Sequence, residues 1–224
     1  MRLRLVVLFG AVLAAGAAAP ATAQEPRLVG LVPEPARTQV DGILNAARAE
    51  RLPVEPLVDR ALEGAAKGAR AELIVAAVAR LREELRIVRQ SFGEGASAAE
   101  LMAGASALRA GAKPADLAKL RKLRPRQPIT VAAGVLAELV AAGVAADTGI
   151  AAVLALASNA GDADYIAFRR NVERDIAQGA SPASSIGARL RAAGERADVA
   201  AAPSTPTRPT SGTTTTTPPK KRKP

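Results

Sequence analysis

The chain has 224 residues with 31 lysines and arginines against 21 acidic residues, a formal charge of +10, and no cysteine or histidine. Those two absences exclude a disulfide framework, thiol nucleophiles, Ser-His-Asp constellations and zinc sites of the ordinary type. What remains for stability is burial, and the length is ample for one domain with a real core.

The first 23 residues set the compartment. Arg2 and Arg4 precede an apolar run from Leu5 to Ala19, Pro20 breaks it, and Ala21-Thr22-Ala23 closes it with small residues. This is the pattern of a secretory signal peptide, with cleavage expected before Gln24. The run is short of the roughly 20 residues that span a bilayer. No cysteine is available for acylation, and nothing after residue 24 is apolar for long enough to span a membrane. The Ala-rich, Arg-over-Lys composition is that of a GC-rich bacterial genome, so the expected location is the periplasm or the exterior.

Subtracting the ends changes the meaning of the charge. Arg2 and Arg4 at the start, and Arg208, Lys220, Lys221, Arg222 and Lys223 at the end, have no acidic neighbours. Without these seven, 24 basic residues face the same 21 acidic ones over 24–201, a net of +3. The body is nearly neutral, and nucleic acid is not the expected partner. Phe92, Tyr165 and Phe168 are the only aromatics after residue 23, too few for stacking platforms or aromatic cages.

Residues 24–35 contain Pro26, Pro33 and Pro35 and read as an extended lead-in. From 36 to 201 the pattern is helical, dominated by Ala, Leu, Arg and Glu. Gly68-Ala69-Arg70, Gly95-Ala96-Ser97, Gly111-Ala112-Lys113 and Gly179-Ala180-Ser181 are variants of one joint. Gly ends one helix at the left-handed C′ position, and the next N-cap follows two residues later. Ser97 with Glu100 makes a capping box, and Ser181 is a good N-cap. Pro114 and Pro182 fall at the first helical position. Weaker joints lie at Leu52-Pro53, Arg126-Gln127-Pro128, Gly143-Val144-Ala145 and Gly161-Asp162-Ala163.

These joints predict about nine helices, over 36–50, 54–66, 71–91, 98–109, 114–124, 129–141, 146–158, 163–177 and 182–193. The fold class is all-α. Short connections favour antiparallel neighbours, and the regular spacing predicts an array of helical hairpins, with an irregular helical bundle as the alternative. In the longest helix, Ile74, Val78, Leu81, Leu85, Val88 and Phe92 form a core-facing stripe, with Arg80 and Glu84 as an i,i+4 pair. Val153, Leu154 and Leu156 are expected in the most buried helix. Past Ala201, Thr and Pro dominate, and 202–224 reads as a disordered basic tail.

Three features bear on chemistry. Asp162 and Asp164 begin like a calcium loop without its Gly and terminal Glu, so Asp162 reads as an N-cap. Lys119, Arg121, Lys122, Arg124 and Arg126 form a basic run that is either a solvated helix end or an anion-binding patch. Lys220, Lys221, Arg222 and Lys223 form a tethered polycation suited to lipid phosphates, cell-wall carboxylates or an acidic protein. The sequence calls for no cofactor and no metal. It names no particular protein partner and no oligomeric state.

The reading that follows is an exported, non-enzymatic helical scaffold of the bacterial envelope. One alternative is a cell-wall glycan hydrolase working with carboxylates alone. Another is a periplasmic chaperone-like binder, which would carry an exposed apolar groove.

Overall fold

A computed structural model describes residues 24–201, with side chains through Arg196. The signal segment 1–23 and the tail 202–224 lie outside the described residues. Within them the protein is all-helical: α1 (Ala36–Ala49), α2 (Glu55–Ala66), α3 (Ala71–Phe92), α4 (Ala98–Arg109), α5 (Pro114–Leu123), α6 (Thr130–Ala141), α7 (Ala146–Leu156), α8 (Asp162–Ala177) and α9 (Pro182–Ala201). No strand occurs among the described residues.

The lead-in is not extended. Pro26–Leu28 forms a short 3-10 turn that packs on α2. Leu28 and Val32, four residues apart, are both buried. The Glu25 N–H donates to Asp41 Oδ1 at 3.0 Å, and Arg27 bridges Glu25 and Glu55. Three prolines restrict the backbone, but burial of two aliphatic side chains decides its path.

Five joints are the same hydrogen-bonded turn. The N–H groups of Leu52, Ala69, Ala112, Val144 and Ala180 donate to the carbonyls of Ala47, Gly64, Ala107, Leu139 and Asp175. The residue before each donates three positions back, to Arg48, Ala65, Leu108, Val140 and Ile176. This 6→1 and 5→2 pair is the Schellman motif. At three of them the hydrophobic contact that accompanies the motif is available, because Leu52 and Ala47, Ala112 and Ala107, and Val144 and Leu139 are all buried. At the first joint the left-handed residue is Arg51, with φ 56°. At Gly111, φ is 106° and an added Cβ would lie 2.9 Å from Ala146 Cβ, so conformation and space both require glycine there.

Two joints differ from expectation. After α3 the positive-φ glycine is Gly93, with φ 90°, and not Gly95, which lies in the turn that follows it. Phe92 is the last residue of the apolar stripe, so the helix ends as soon as there is nothing more to bury. Gly161 has φ −83° and is the N-cap of α8, not a C′ residue. Asp164 accepts from the Gly161 N–H at 2.9 Å, and Asp162 is the first helical residue, not the cap. Elsewhere the caps fall as read. The Ser97–Glu100 capping box is complete, Ser181 Oγ accepts from the Ser184 N–H, and Pro114 and Pro182 open their helices.

A single core runs from Leu28 to Ile186. The α3 stripe is buried throughout, and α3 packs against α1, α2, α4 and α5. Its approach to α4 is close because a Cβ on Gly104 would come within 2.4 Å of Val88 Cγ1. Farther along, α4 packs on α6, α6 on α7 and α8, α5 on α7, and α9 on both α7 and α8. In α7, Val153 and Leu156 are buried while Leu154 is only partly so.

The joints yield a paired prediction, read by urea denaturation. Gly111→Ala should lose about 2–3 kcal/mol, from a left-handed alanine together with the Ala146 clash. Arg51→Gly should gain about 0.5–1 kcal/mol, because a non-glycine residue leaves the left-handed region.

Candidate functional site

The basic run divides into two faces. Leu117, Leu120, Arg121 and Arg124 recur at i, i+3, i+4 and i+7, the spacing of one helical face. Leu117 and Leu120 are buried, and that face carries both arginines inward. Lys119, Lys122 and Arg126 are exposed. The five cations therefore do not form one surface patch. The terminal residues Lys220, Lys221, Arg222 and Lys223 lie outside the described residues.

Arg124 is only 2% exposed. It caps the end of α5, where its Nη1 donates to the Ala160 carbonyl and its Nη2 to Asp162 Oδ1 at 3.0 Å. Its guanidinium lies over the Tyr165 ring, 5.2 Å from the centroid, and Tyr165 Oη donates to the Val153 carbonyl at 2.9 Å. A planar, weakly hydrated cation suits such a place better than an ammonium. Burial raises the Tyr165 hydroxyl to about 12, although the Arg124 charge acts in the other direction.

Next to it, Arg121 Nη2 donates to Glu100 Oε1 at 2.5 Å, and the guanidinium lies 5.6 Å from the Phe92 ring centroid. Glu100 is itself buried. One oxygen completes the α4 capping box by accepting from the Ser97 N–H at 3.0 Å. The other accepts from the Ile129 N–H at 3.2 Å, at the start of α6. Burial acts to raise the Glu100 carboxyl, but the Ser97 N–H, the Arg121 guanidinium and the Ile129 N–H together hold it below the usual carboxylate range. The two arginines thus join the ends of α3 and α5 to the starts of α4, α6 and α8. The terminal guanidinium nitrogens named here find acceptors within the protein, whereas the Nε of Arg121 and of Arg124 is buried without a hydrogen-bond partner. The arrangement binds helices to one another.

A second feature is open to solvent. Between α7, α8 and α9 lies a groove of about 370 Å³. Leu156, Phe168 and Leu190 give it an apolar floor, and Asp164, Arg189 and Arg196 are its charged residues. Arg189 makes a two-point ion pair with Asp175, which holds that carboxyl below its usual range. The groove was not legible in the sequence, because its space comes from small residues on three separate helices.

No group of three or more potential metal ligands occurs among the described residues, and no helix there is long and apolar enough to cross a membrane. Comparisons with protein-family models, with curated proteins and with solved structures yield no match to this chain.

Two measurements test the buried network. Tyr165 is the sole tyrosine, so tyrosinate absorbance reports on it alone. It should appear near pH 12 in the folded protein and near 10 in denaturant. Because the folded value is the higher one, the stability this group contributes is present below pH 10.0 and is lost as pH rises toward about 12. Glu100 carries the opposite sign. Its folded value is depressed, so its contribution is present above the ordinary 4.5 and is lost as pH falls through the folded value. Glu100→Gln should therefore flatten the acid limb of the stability profile measured by urea denaturation.

Proposed function

We propose that this chain is an exported, non-enzymatic interaction module of the bacterial cell envelope. An array of helical hairpins presents a binding surface, and a basic tail holds the protein near anionic envelope material. The observation that carries the reading is how the internal charges are used. Glu100, Arg121, Arg124 and Asp162 are spent on one another and on backbone groups at helix ends. The open groove is floored by Leu156, Phe168 and Leu190, with a single carboxylate, Asp164, among its described lining residues. A glycan hydrolase works with a pair of carboxylates flanking the scissile bond, so this groove favours binding over hydrolysis. It equally suits the chaperone-like variant, in which the occupant is an apolar segment of another chain.

The hairpin array is supported by the order of packing. Helices α4, α6 and α8 follow one another in contact, as do α5, α7 and α9. The joints within α2–α3, α4–α5, α6–α7 and α8–α9 are all Schellman turns. Within three of these pairs, α2–α3, α6–α7 and α8–α9, the two helices also pack on each other, and units stacked in this way offer long faces to a partner. Export rests on Arg2, Arg4, the 5–19 apolar run and Ala21-Thr22-Ala23. Attachment rests on Lys220–Lys223, with Lys119, Lys122 and Arg126 as a smaller exposed set.

Co-sedimentation with vesicles rich in anionic lipid tests the attachment. Each cation near such a surface contributes about 1 kcal/mol, so replacing Lys220, Lys221, Arg222 and Lys223 with alanine should lower binding more than tenfold at low salt. Equal sedimentation of the two proteins would remove the role assigned to the tail. Mass analysis of protein recovered from a bacterial periplasm should give a chain beginning at Gln24.

A further inference from the structure

We infer that Asp41 is the docking site for the amino terminus that removal of residues 1–23 creates. The α-ammonium of Gln24 pairs with its buried carboxylate and fastens the lead-in to α1. The inference rests on the cleavage reading above and gives the cut a role in the fold.

Asp41 lies in the second turn of α1 and is only 6% exposed. A buried carboxylate is costly unless it is paired and hydrogen-bonded. Glu100, the other buried acid among the described residues, has Arg121 beside it. Asp41 has no such partner: no lysine or arginine among the described residues forms an ion pair with it. Its hydrogen bond there comes from the neutral Glu25 N–H, at 3.0 Å.

The cut supplies the missing cation. Cleavage before Gln24 turns a neutral peptide nitrogen into an ammonium. Three bonds, about 4.3 Å in all, separate that nitrogen from the Glu25 nitrogen, which places it within about 7 Å of Asp41 Oδ1 at any torsion. Turning the Gln24 ψ angle brings the two nitrogens to the same side, the arrangement by which successive backbone N–H groups cradle an anion. The carboxylate then accepts from both. Gln24 itself is exposed, so turning it displaces no core residue.

The lead-in is already held in place to receive this contact. Leu28 and Val32 anchor it in the core. The Glu25 carboxylate, next to the new terminus in sequence, is paired with Arg27 at 2.9 Å and with Arg48 at 3.5 Å, so it competes weakly for the ammonium. Asp41 is the carboxylate with its charge unmet. Before the cut the nitrogen beside it is neutral; after the cut the lead-in and α1 are joined by an ion pair.

The test removes the charge at one atom. The chain 24–224 is prepared with a free amino-terminal Gln24, and a portion is treated with a glutaminyl cyclase. In that reaction the α-nitrogen bonds to the side-chain Cδ, the Cδ–Nε2 bond breaks, and ammonia leaves. The pyroglutamyl product is neutral at its terminus, and every lysine is untouched. Both forms, and the same two forms carrying Asp41→Asn, are unfolded in urea. The inference expects an unfolding equilibrium constant about tenfold larger for the pyroglutamyl form than for the free form. In Asp41→Asn that difference should disappear, because Asn keeps an oxygen for the Glu25 N–H but has no charge for the ammonium. Should that variant fail to fold, a crystal structure of the free form answers instead, with the Gln24 nitrogen within about 4 Å of an Asp41 oxygen. Equal stability of the two parent forms, a difference that persists in Asp41→Asn, or a Gln24 nitrogen farther from Asp41 would overturn the pairing. These chains are made to begin at Gln24, so a null result counts against the pairing and not against the cleavage. A periplasmic chain that begins elsewhere counts against the cleavage, and it overturns the role given to the cut.

Discussion

Burial of the Arg124 guanidinium is the constraint on which the arrangement of the later helices depends. Removing a cation from water costs several kcal/mol even after relaxation. That cost is tolerable only where carbonyls, a carboxylate and an aromatic face are already in place. Here they come from sequence-distant elements: the Ala160 carbonyl 36 residues on, Asp162 38 residues on, and the Tyr165 ring in α8. The end of α5 and the start of α8 must therefore meet. Glu100 adds the same requirement for α4, Arg121 and the start of α6, since its carboxylate is satisfied only when Ser97, Arg121 and Ile129 converge on it.

This matters because the rest of the stabilisation is thin. Many helix contacts are made by alanine, which buries little area at about 25 cal/mol per Å². Most ion pairs on the helix surfaces, such as Arg86–Glu83 and Lys67–Glu63, are solvated and add little. Alanine does permit close axis approach, taken furthest at Gly104, where α4 lies against Val88 and Phe92. Small side chains also leave open space. Where Ala167, Ala193 and Gly194 face one another without a bulky partner, the helices leave a groove. Tight packing and open space come from the same composition, and the placement of the few large residues decides which occurs.

The helices were legible in the sequence because their ends are chemically marked. A left-handed glycine, an N-cap and a first-turn proline locate a joint to within a residue or two, and the Ser97–Glu100 box and Pro114 fall where read. Marks that depend on distant contacts were not legible. Pro26, Pro33 and Pro35 pointed to an extended segment, whereas burial of Leu28 and Val32 folds it. The basic run concealed its own division, because charge alone does not separate Arg124 from Lys122. The helical spacing of Leu117, Leu120, Arg121 and Arg124 carried that information; residue type alone did not, since Arg126 is exposed with Lys119 and Lys122. The groove had no local mark at all, since its walls belong to three helices.

If the buried arginine couples these elements, its removal must be felt beyond its own turn. Native-state hydrogen exchange on the parent protein and on Arg124→Ala measures this directly, amide by amide. The account predicts that protection falls together in α5, α6 and α8 while α1 and α2 keep theirs. A loss confined to residues near the α5–α6 joint, with α8 unchanged, would contradict it.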